Sequence, residues 1–541
     1  MRLLSRLTIS VISSFAATQA AVAMKIPFGN HMVLQRNQAM PVWGTAASGE
    51  SVTVTLGGAS KTVKAGGDGS WKVSLEAMAA GGPYSLSAKG ASNTVTFTDV
   101  MVGEVWHCAG QSNMDTRMNY REYPNLTDSV KSASYPLLRY VTMRQPGQTV
   151  QWQNVTPSTV GPLSAAGYFF GRELLDNLKG VSVGLVVTAV GGTIIEQWLD
   201  PATLSGFTDL ATDTNAGKMY DAWVKPVAGY GVKGTVWLQG ENNTSSALYK
   251  NYGRRLEKMI PGWRSAWGQP DMPFLVAGLC HKGVIQTTPG ETSNEASIRE
   301  LQRGVTDTLR NTWMSVTVDL GSDSTWHYPQ KPQAGKRLGL LARGALYGQT
   351  GFVFEHPRPR ACFFRGTTIV IPFDVRGGKL TLDAGSTPTG FAVSGADNKW
   401  SWATATLKGD TILLTTTVAK PTQVRHAWAN QPIMNLRSSG GQPATPFAMA
   451  IAPSGPVGTG TISSNASATH LTATHLLLPV RGDAPVEVVL RSLDGRVRHH
   501  AQAAPSDGMI ALDRSRLPSG LFAVELRQAG TAPLLRTVAL P

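Results

Sequence analysis

At 541 residues the chain is too long for one hydrophobic core, and three or four domains are expected. A formal charge of +14 would suit nucleic acid or an anionic surface, but the basic residues are scattered, with no Lys/Arg block and no nucleic-acid motif. That sets nucleic acid aside as a partner and leaves a solubility trait with mild attraction for acidic glycans.

At the amino terminus Arg2 and Arg6 form a positive region, Leu7 to Ala17 a short apolar one, and Ala21-Val22-Ala23 an A-x-A cleavage site. The apolar stretch is too short to span a membrane. Residues 1–23 are therefore expected to be a signal peptide, with the mature chain starting near Met24 outside the cytoplasm, secreted or periplasmic. Residues 24–100 hold short strand-like runs separated by Gly, Pro and Asn, among them Met40 to Trp43, Ser51 to Leu56 and Trp71 to Leu75. Such spacing predicts an all-β domain, and without a cluster of titratable groups it reads as a packing unit.

From 101 to 350 the pattern changes. Val102 to His107, Val183 to Val190, Thr235 to Gln239, Phe274 to Leu279 and Ser315 to Leu320 read as buried strands. Helices are expected from Ser164 to near Gly180, Leu248 to Ile260, about Asn294 to Leu309 and Gln333 to Leu346. Five such strands with intervening helices predict a three-layer α/β domain on a parallel sheet, with residues 115 to 150 and 199 to 230 as irregular loops at its carboxyl edge. Residues 351–453 are β-like again, an accessory domain expected to pack with or beside the amino-terminal β domain and to brace the α/β domain. A Gly/Ser/Thr-rich linker (454–474) and a small β-sandwich (475–541) complete the chain. Cys108, Cys280 and Cys362, odd in number and far apart, make neither a disulfide framework nor a zinc pattern.

The chemistry gathers at strand ends. In Val102 to Met114, VGEVWHCAGQSNM, an apolar run stops at Gly110 and Ser112 follows between Gln111 and Asn113. Strand, tight turn and serine are how an α/β sheet presents a nucleophile, although Met114 stands where a GxSxG elbow has its second glycine. The second strand ends in Gly191-Gly192, the third in Glu241-Asn242-Asn243, and His327 lies beyond the fifth. Ester hydrolysis needs a nucleophile, a base and donors for the oxyanion. Ser112 can attack and His327 can carry its proton. The N–H of Ser112, that of Gly191 or Gly192, and the Asn243 amide can form the oxyanion hole.

GQSNM, VGLVVTAVGGTIIEQW, WLQGENN and a late histidine before a helix resemble the ordered blocks of the SGNH (GDSL-like) hydrolases. With HMVLQRNQAMPVWG, DGSWKVSL, GGPYSL and HAWANQP they resemble more closely the sialate O-acetylesterase family of carbohydrate esterases, over roughly residues 26 to 450. The resemblance implies an SGNH-type domain flanked by all-β domains and a serine esterase that removes acetyl groups from sugar hydroxyls without metal or other cofactor. It also implies Ser112 as nucleophile, Gly192 (or Gly191) and Asn243 as oxyanion donors, and His327 as base. Many SGNH enzymes place an aspartate three residues before the histidine, where it orients the imidazole. Here Ser324 stands there. Asp323, one residue farther away, and a backbone carbonyl that holds His327 in a Ser–His dyad are both open; Asp323 is equally a turn residue of GSDST.

Gln111, Glu241, Trp198, Arg299 and Gln302 are candidates to line the sugar site. Glu241 equally buttresses a loop, and Trp198 equally packs as a lid on the core. His107 and His281 read as packing or surface histidines, His426 as structural, and His499-His500 as solvent-facing. No cluster has metal-ligand spacing. LDGRVRHH and LPSGLFAVELRQAG resemble the sorting-tail-like immunoglobulin modules of secreted bacterial proteins. The substrate expected is an O-acetylated carbohydrate, with sialic acid and plant-wall acetylxylan both open. The other class to weigh is a non-catalytic carbohydrate-binding protein with a decayed triad. A peptidase or lipase fits less well, for want of the elbow and of a long apolar lid.

Overall fold

A computed structural model describes residues 21–143, 151–245, 247, 249–453 and the strands of the carboxyl-terminal unit between His470 and Leu540. All but the last three residues of the expected signal peptide, and all but His470 and Leu471 of the expected linker, lie outside the described residues.

One strand ties the amino-terminal β domain to the α/β domain. β1 (Thr94–Gly110) is 17 residues long and alternates exposed and half-buried side chains until Asp99, then is buried throughout from Val100. Its first half pairs antiparallel with Gly81–Lys89, and its second half lies at the centre of a parallel sheet. The boundary expected at residue 100 therefore falls inside one continuous element. A two-sided apolar run starts there because the strand acquires neighbours on both faces.

Among the described residues six strands rather than five make the central parallel path of the sheet. β2 (Tyr135–Met143), β3 (Val183–Ala189), β4 (Gly234–Leu238), β5 (Phe274–Ala277) and β6 (Thr312–Ser315) join β1 in the order β2-β3-β1-β4-β5-β6, with the antiparallel Gln153–Val155 outside β2. β2 lies in a stretch expected to be a loop. Pro136 and Arg139 interrupt its apolar pattern, yet Arg139 is buried because its guanidinium donates to the carbonyls of His31, Pro136 and Asp99 and to the Asp99 carboxylate. The strand expected at Ser315 to Leu320 lies instead at Thr312–Ser315 and shares one residue with it: the N–H of Val316 turns to His356 Nε2 (2.9 Å), and Val318–Leu320 becomes a 3-10 turn.

Four long helices cover the sheet: α1 (Ala165–Asn177), α2 (Tyr252–Trp267), α3 (Asn294–Thr308) and α4 (Lys331–Tyr347). α1 and α4 bury Phe170 and Leu338 against Trp106 on one face; α2 and α3 bury Trp263 and Ile298 on the other. α2 continues past Pro261 because Trp263 and Trp267 are core residues, and Gly268 closes it with φ +66°. Residues 351–452 form small antiparallel sheets whose hydrogen bonds and ion pairs, among the described residues, run to the α/β domain: Arg437 to Asp319, and Arg299 to the carbonyls of Ala429 and Asn430. The carboxyl-terminal strands make a four-stranded and a three-stranded antiparallel sheet.

Candidate active site

The strand order reverses around β1, so β1, β3 and β4 deliver their following loops to one place, where α/β sheets bind ligands. β1 stops at Gly110, whose φ of +140° few side-chain-bearing residues adopt. The N–H of Gln111 still bonds the Leu238 carbonyl (2.9 Å), and Ser112 then opens a single helical turn to Asp115. Gln111 is buried, and its Oε1 accepts from Gln239 Nε2 (3.0 Å) and from the N–H groups of Gly240 and Asn242 (both 3.3 Å). It shapes the turn after β4 while lining the cleft. On the other side Gly191 lies against the nucleophile: a β-carbon there would be 3.5 Å from Ser112 Cβ.

His327 sits between β6 and α4. A cleft of about 510 Å³ is lined by Ser112, Gly191, Gly192, Asn242, Trp326 and His327. A second, of about 430 Å³, is lined by Ser112, Arg117, Tyr120, Glu122 and His327. Serine and histidine therefore share both walls. A larger cavity, about 1080 Å³, beside Phe28, Trp43 and Trp152 contains no such pair and is not the site of this chemistry. Burial, and next the charge of Lys331, lower the imidazole pKa below its ordinary value, while Glu122 works against them. The ring is thus neutral at pH 7 and free to accept a proton.

Asp323 does not reach the histidine. Its side chain is 81% exposed and 3.9 Å from His281 Nε2, and its Oδ1 accepts from Gln431 Nε2 (3.0 Å). The chain pairs at Lys282 and Ser322, which turns residue 323 outward. Among the described residues no carboxylate bonds the His327 ring. Asn243 is likewise displaced from its expected role. It is wholly buried, its Oδ1 accepts from Ile195 N–H (2.9 Å) and Gln239 Nε2 (2.9 Å), and its Nδ2 donates to the buried Glu196 carboxylate (3.0 Å). A charge-assisted bond holds that amide behind the cleft, and Asn242 lines the cleft instead, donating to the Gly192 carbonyl (2.8 Å). The N–H groups of Ser112 and Gly192 are bonded to no carbonyl among the described residues.

Three residues expected to touch sugar, Trp198, Arg299 and Gln302, are core residues. Trp198 is fully buried, donates to Thr193 Oγ1 (3.0 Å) and meets Trp237 edge-on. Arg299 is 1% exposed and donates to the carbonyls of Leu279, Cys280, Ala429 and Asn430. Gln302, also buried, bonds the Leu279 N–H and the Gln239 carbonyl. Glu241 lines the cleft but is nearly buried, and Asn113 Nδ2 donates to it (2.5 Å); burial raises its pKa. His107 is buried between Thr188 and Thr235 hydroxyls, and burial lowers its pKa to about 3. His281 Nδ1 bonds the Val318 carbonyl, His426 is buried against Phe391, and His500 faces solvent beside Glu487. The three thiols are buried and unpaired. Among the described residues no cluster could hold a metal, and no helix is long and apolar enough to cross a membrane.

Asn113, which the sequence marks only as the neighbour of Ser112, and Tyr123 and Lys331, to which it gives no role, adjoin the site and bond the segment around His327. Asn113 lies inside the GQSNM turn, which was the available signal. Lys331, beside Pro332 at a helix start, carries no signal; it is fully buried, which lowers its pKa to about 7.

The family described as "Carbohydrate esterase, sialic acid-specific acetylesterase" matches residues 102–342. The chain is 30% identical over 385 residues to the sialate O-acetylesterases of Pongo abelii and Homo sapiens, matching 61% of this chain and 72% of each relative. The solved structure of a carbohydrate acetylesterase from Xanthomonas citri superposes with a TM-score of 0.73 at 33% identity, covering 79% of this chain and 99% of that one.

Proposed function

The chain belongs to the sialate O-acetylesterase family of carbohydrate esterases and is a carboxylic ester hydrolase, and from that premise we propose that it releases acetyl groups from sugar hydroxyls through a Ser112–His327 dyad. The observation that carries the mechanism is that these two residues, far apart in sequence, line the same two clefts.

The His327 imidazole takes the Ser112 hydroxyl proton as Oγ attacks the acetyl carbonyl carbon. The carbonyl oxygen becomes an oxyanion, for which the unbonded N–H groups of Ser112 and Gly192 are the donors. The bond to the sugar oxygen breaks, and the imidazolium returns the proton to that oxygen. Water, deprotonated by His327, then attacks the acetyl-serine. Collapse releases acetate, and the imidazolium proton goes back to Ser112 Oγ. The order of Arg2 and Arg6, the apolar stretch to Ala17 and Ala21-Val22-Ala23 supports export, and the secreted protein should begin near Met24 on amino-terminal sequencing.

Hydrolysis of p-nitrophenyl acetate that disappears in Ser112→Ala and in His327→Ala is the expected result. Equal rates in wild type and Ser112→Ala would leave a carbohydrate-binding protein without this catalysis. Acetate release from O-acetylated sialic acid measured against acetylated xylan assigns the sugar.

A further inference from the structure

The loop that carries His327 is fastened by its backbone. Four consecutive carbonyls accept side-chain hydrogen bonds: Trp326 from Asn113 Nδ2 (3.1 Å), His327 from the Tyr123 hydroxyl, Tyr328 from Lys331 Nζ (2.8 Å) and Pro329 from Asn125 Nδ2 (3.2 Å). The His327 N–H is occupied as well, by Thr325 Oγ1 (3.1 Å). Asn113 adjoins the nucleophile, and its Oδ1 accepts from the same Lys331 Nζ (2.6 Å). Lys331 is fully buried: its ammonium lies 3.5 Å from the centre of the Tyr328 ring, and among the described residues it makes no ion pair. A buried cation is costly unless its donors are occupied, and both of these bonds go to the two segments that must meet. The Tyr120 ring, edge-on with centroids 6.3 Å apart, bounds the imidazole on one side.

Resting on the Ser112–His327 reading, we propose that Asn113, Tyr123 and Lys331 are positioning residues that hold the imidazole against the serine through its backbone, in place of the carboxylate that orients the ring in a Ser-His-Asp triad. With the backbone of 326–328 tied at three points, only the two side-chain torsions of His327 remain to be set. The Tyr120 ring restricts those on one side.

The test is Tyr123→Phe and Lys331→Met in the full chain, with kcat and KM on p-nitrophenyl acetate, thermal unfolding, and the rate at which a fluorophosphonate labels Ser112. Loosening the loop should lower kcat by about tenfold to a hundredfold, the cost of a misplaced reacting group, with KM unchanged and serine labelling slowed in parallel. The double variant should lose less than the product of the single losses, because the residues act on one loop. A folded Tyr123→Phe enzyme with wild-type kcat overturns the proposal, as does a lowered melting temperature with kcat and labelling unchanged. If Lys331→Met does not fold, Tyr123→Phe decides alone. Ser112→Ala separates the two readings: activity that survives it removes the dyad, whereas a dead Ser112→Ala beside a fully active Tyr123→Phe removes only the clamp.

Discussion

The carbonyl oxygen of Leu238 stands 2.0 Å from where a β-carbon on residue 110 would be, so at Gly110 β1 and β4 approach too closely for any side chain. The approach matters because the next two residues are Gln111, which shapes the turn after β4, and Ser112. Gly110→Ala must push β4 aside and also adopt φ +140°. It should cost well over 1 kcal/mol of stability and most of the esterase activity, as read by urea unfolding and p-nitrophenyl acetate hydrolysis of the folded fraction.

Asp323→Asn addresses the third member of a triad. Because this carboxylate bonds Gln431 at the surface, kcat should stay within about threefold of wild type, against the roughly 10⁴-fold cost of losing a ring-orienting aspartate. A loss of the larger size in a folded protein would return Asp323 to the catalytic set.

The pH profile follows from the groups around the base. Protonated imidazole cannot accept the serine proton, so kcat/KM falls as pH drops through the His327 pKa, which lies below the ordinary 6.5. The acid limb should therefore lie below pH 6.5. Lys331, whose own pKa is lowered to about 7, is charged across that range and holds the limb down. Lys331→Met should move it up and Glu122→Gln farther down, both read from kcat/KM against pH.

Arg299→Ala distinguishes a sugar contact from a structural tie. Four carbonyls lose their donor at once, two of them in the accessory domain, so stability should fall by at least about 3 kcal/mol. KM of the protein that still folds should not change. A raised KM with unaltered unfolding would put Arg299 back at the substrate.

The alternation of apolar runs and helical periods between 101 and 350 is a local property, and it was enough for the layered α/β build, four of the parallel strands and the four long helices; Ser112, Gly192 and His327 then line one cleft at the sheet's rim. A glycine turn followed by a serine announces itself in five residues. Burial and partnership depend on residues far away in the chain, and the sequence by itself left those open. Tyr135–Met143 becomes a strand because Arg139 finds Asp99 and the carbonyls around it. Asn243 turns inward because Glu196 waits there, and Trp198 and Arg299 belong to the core because Trp237 and the Ala429–Asn430 carbonyls receive them. Asp323 lies outside and Lys331 within, since the partner of each, Gln431 or Asn113, is brought to it only by the folded chain.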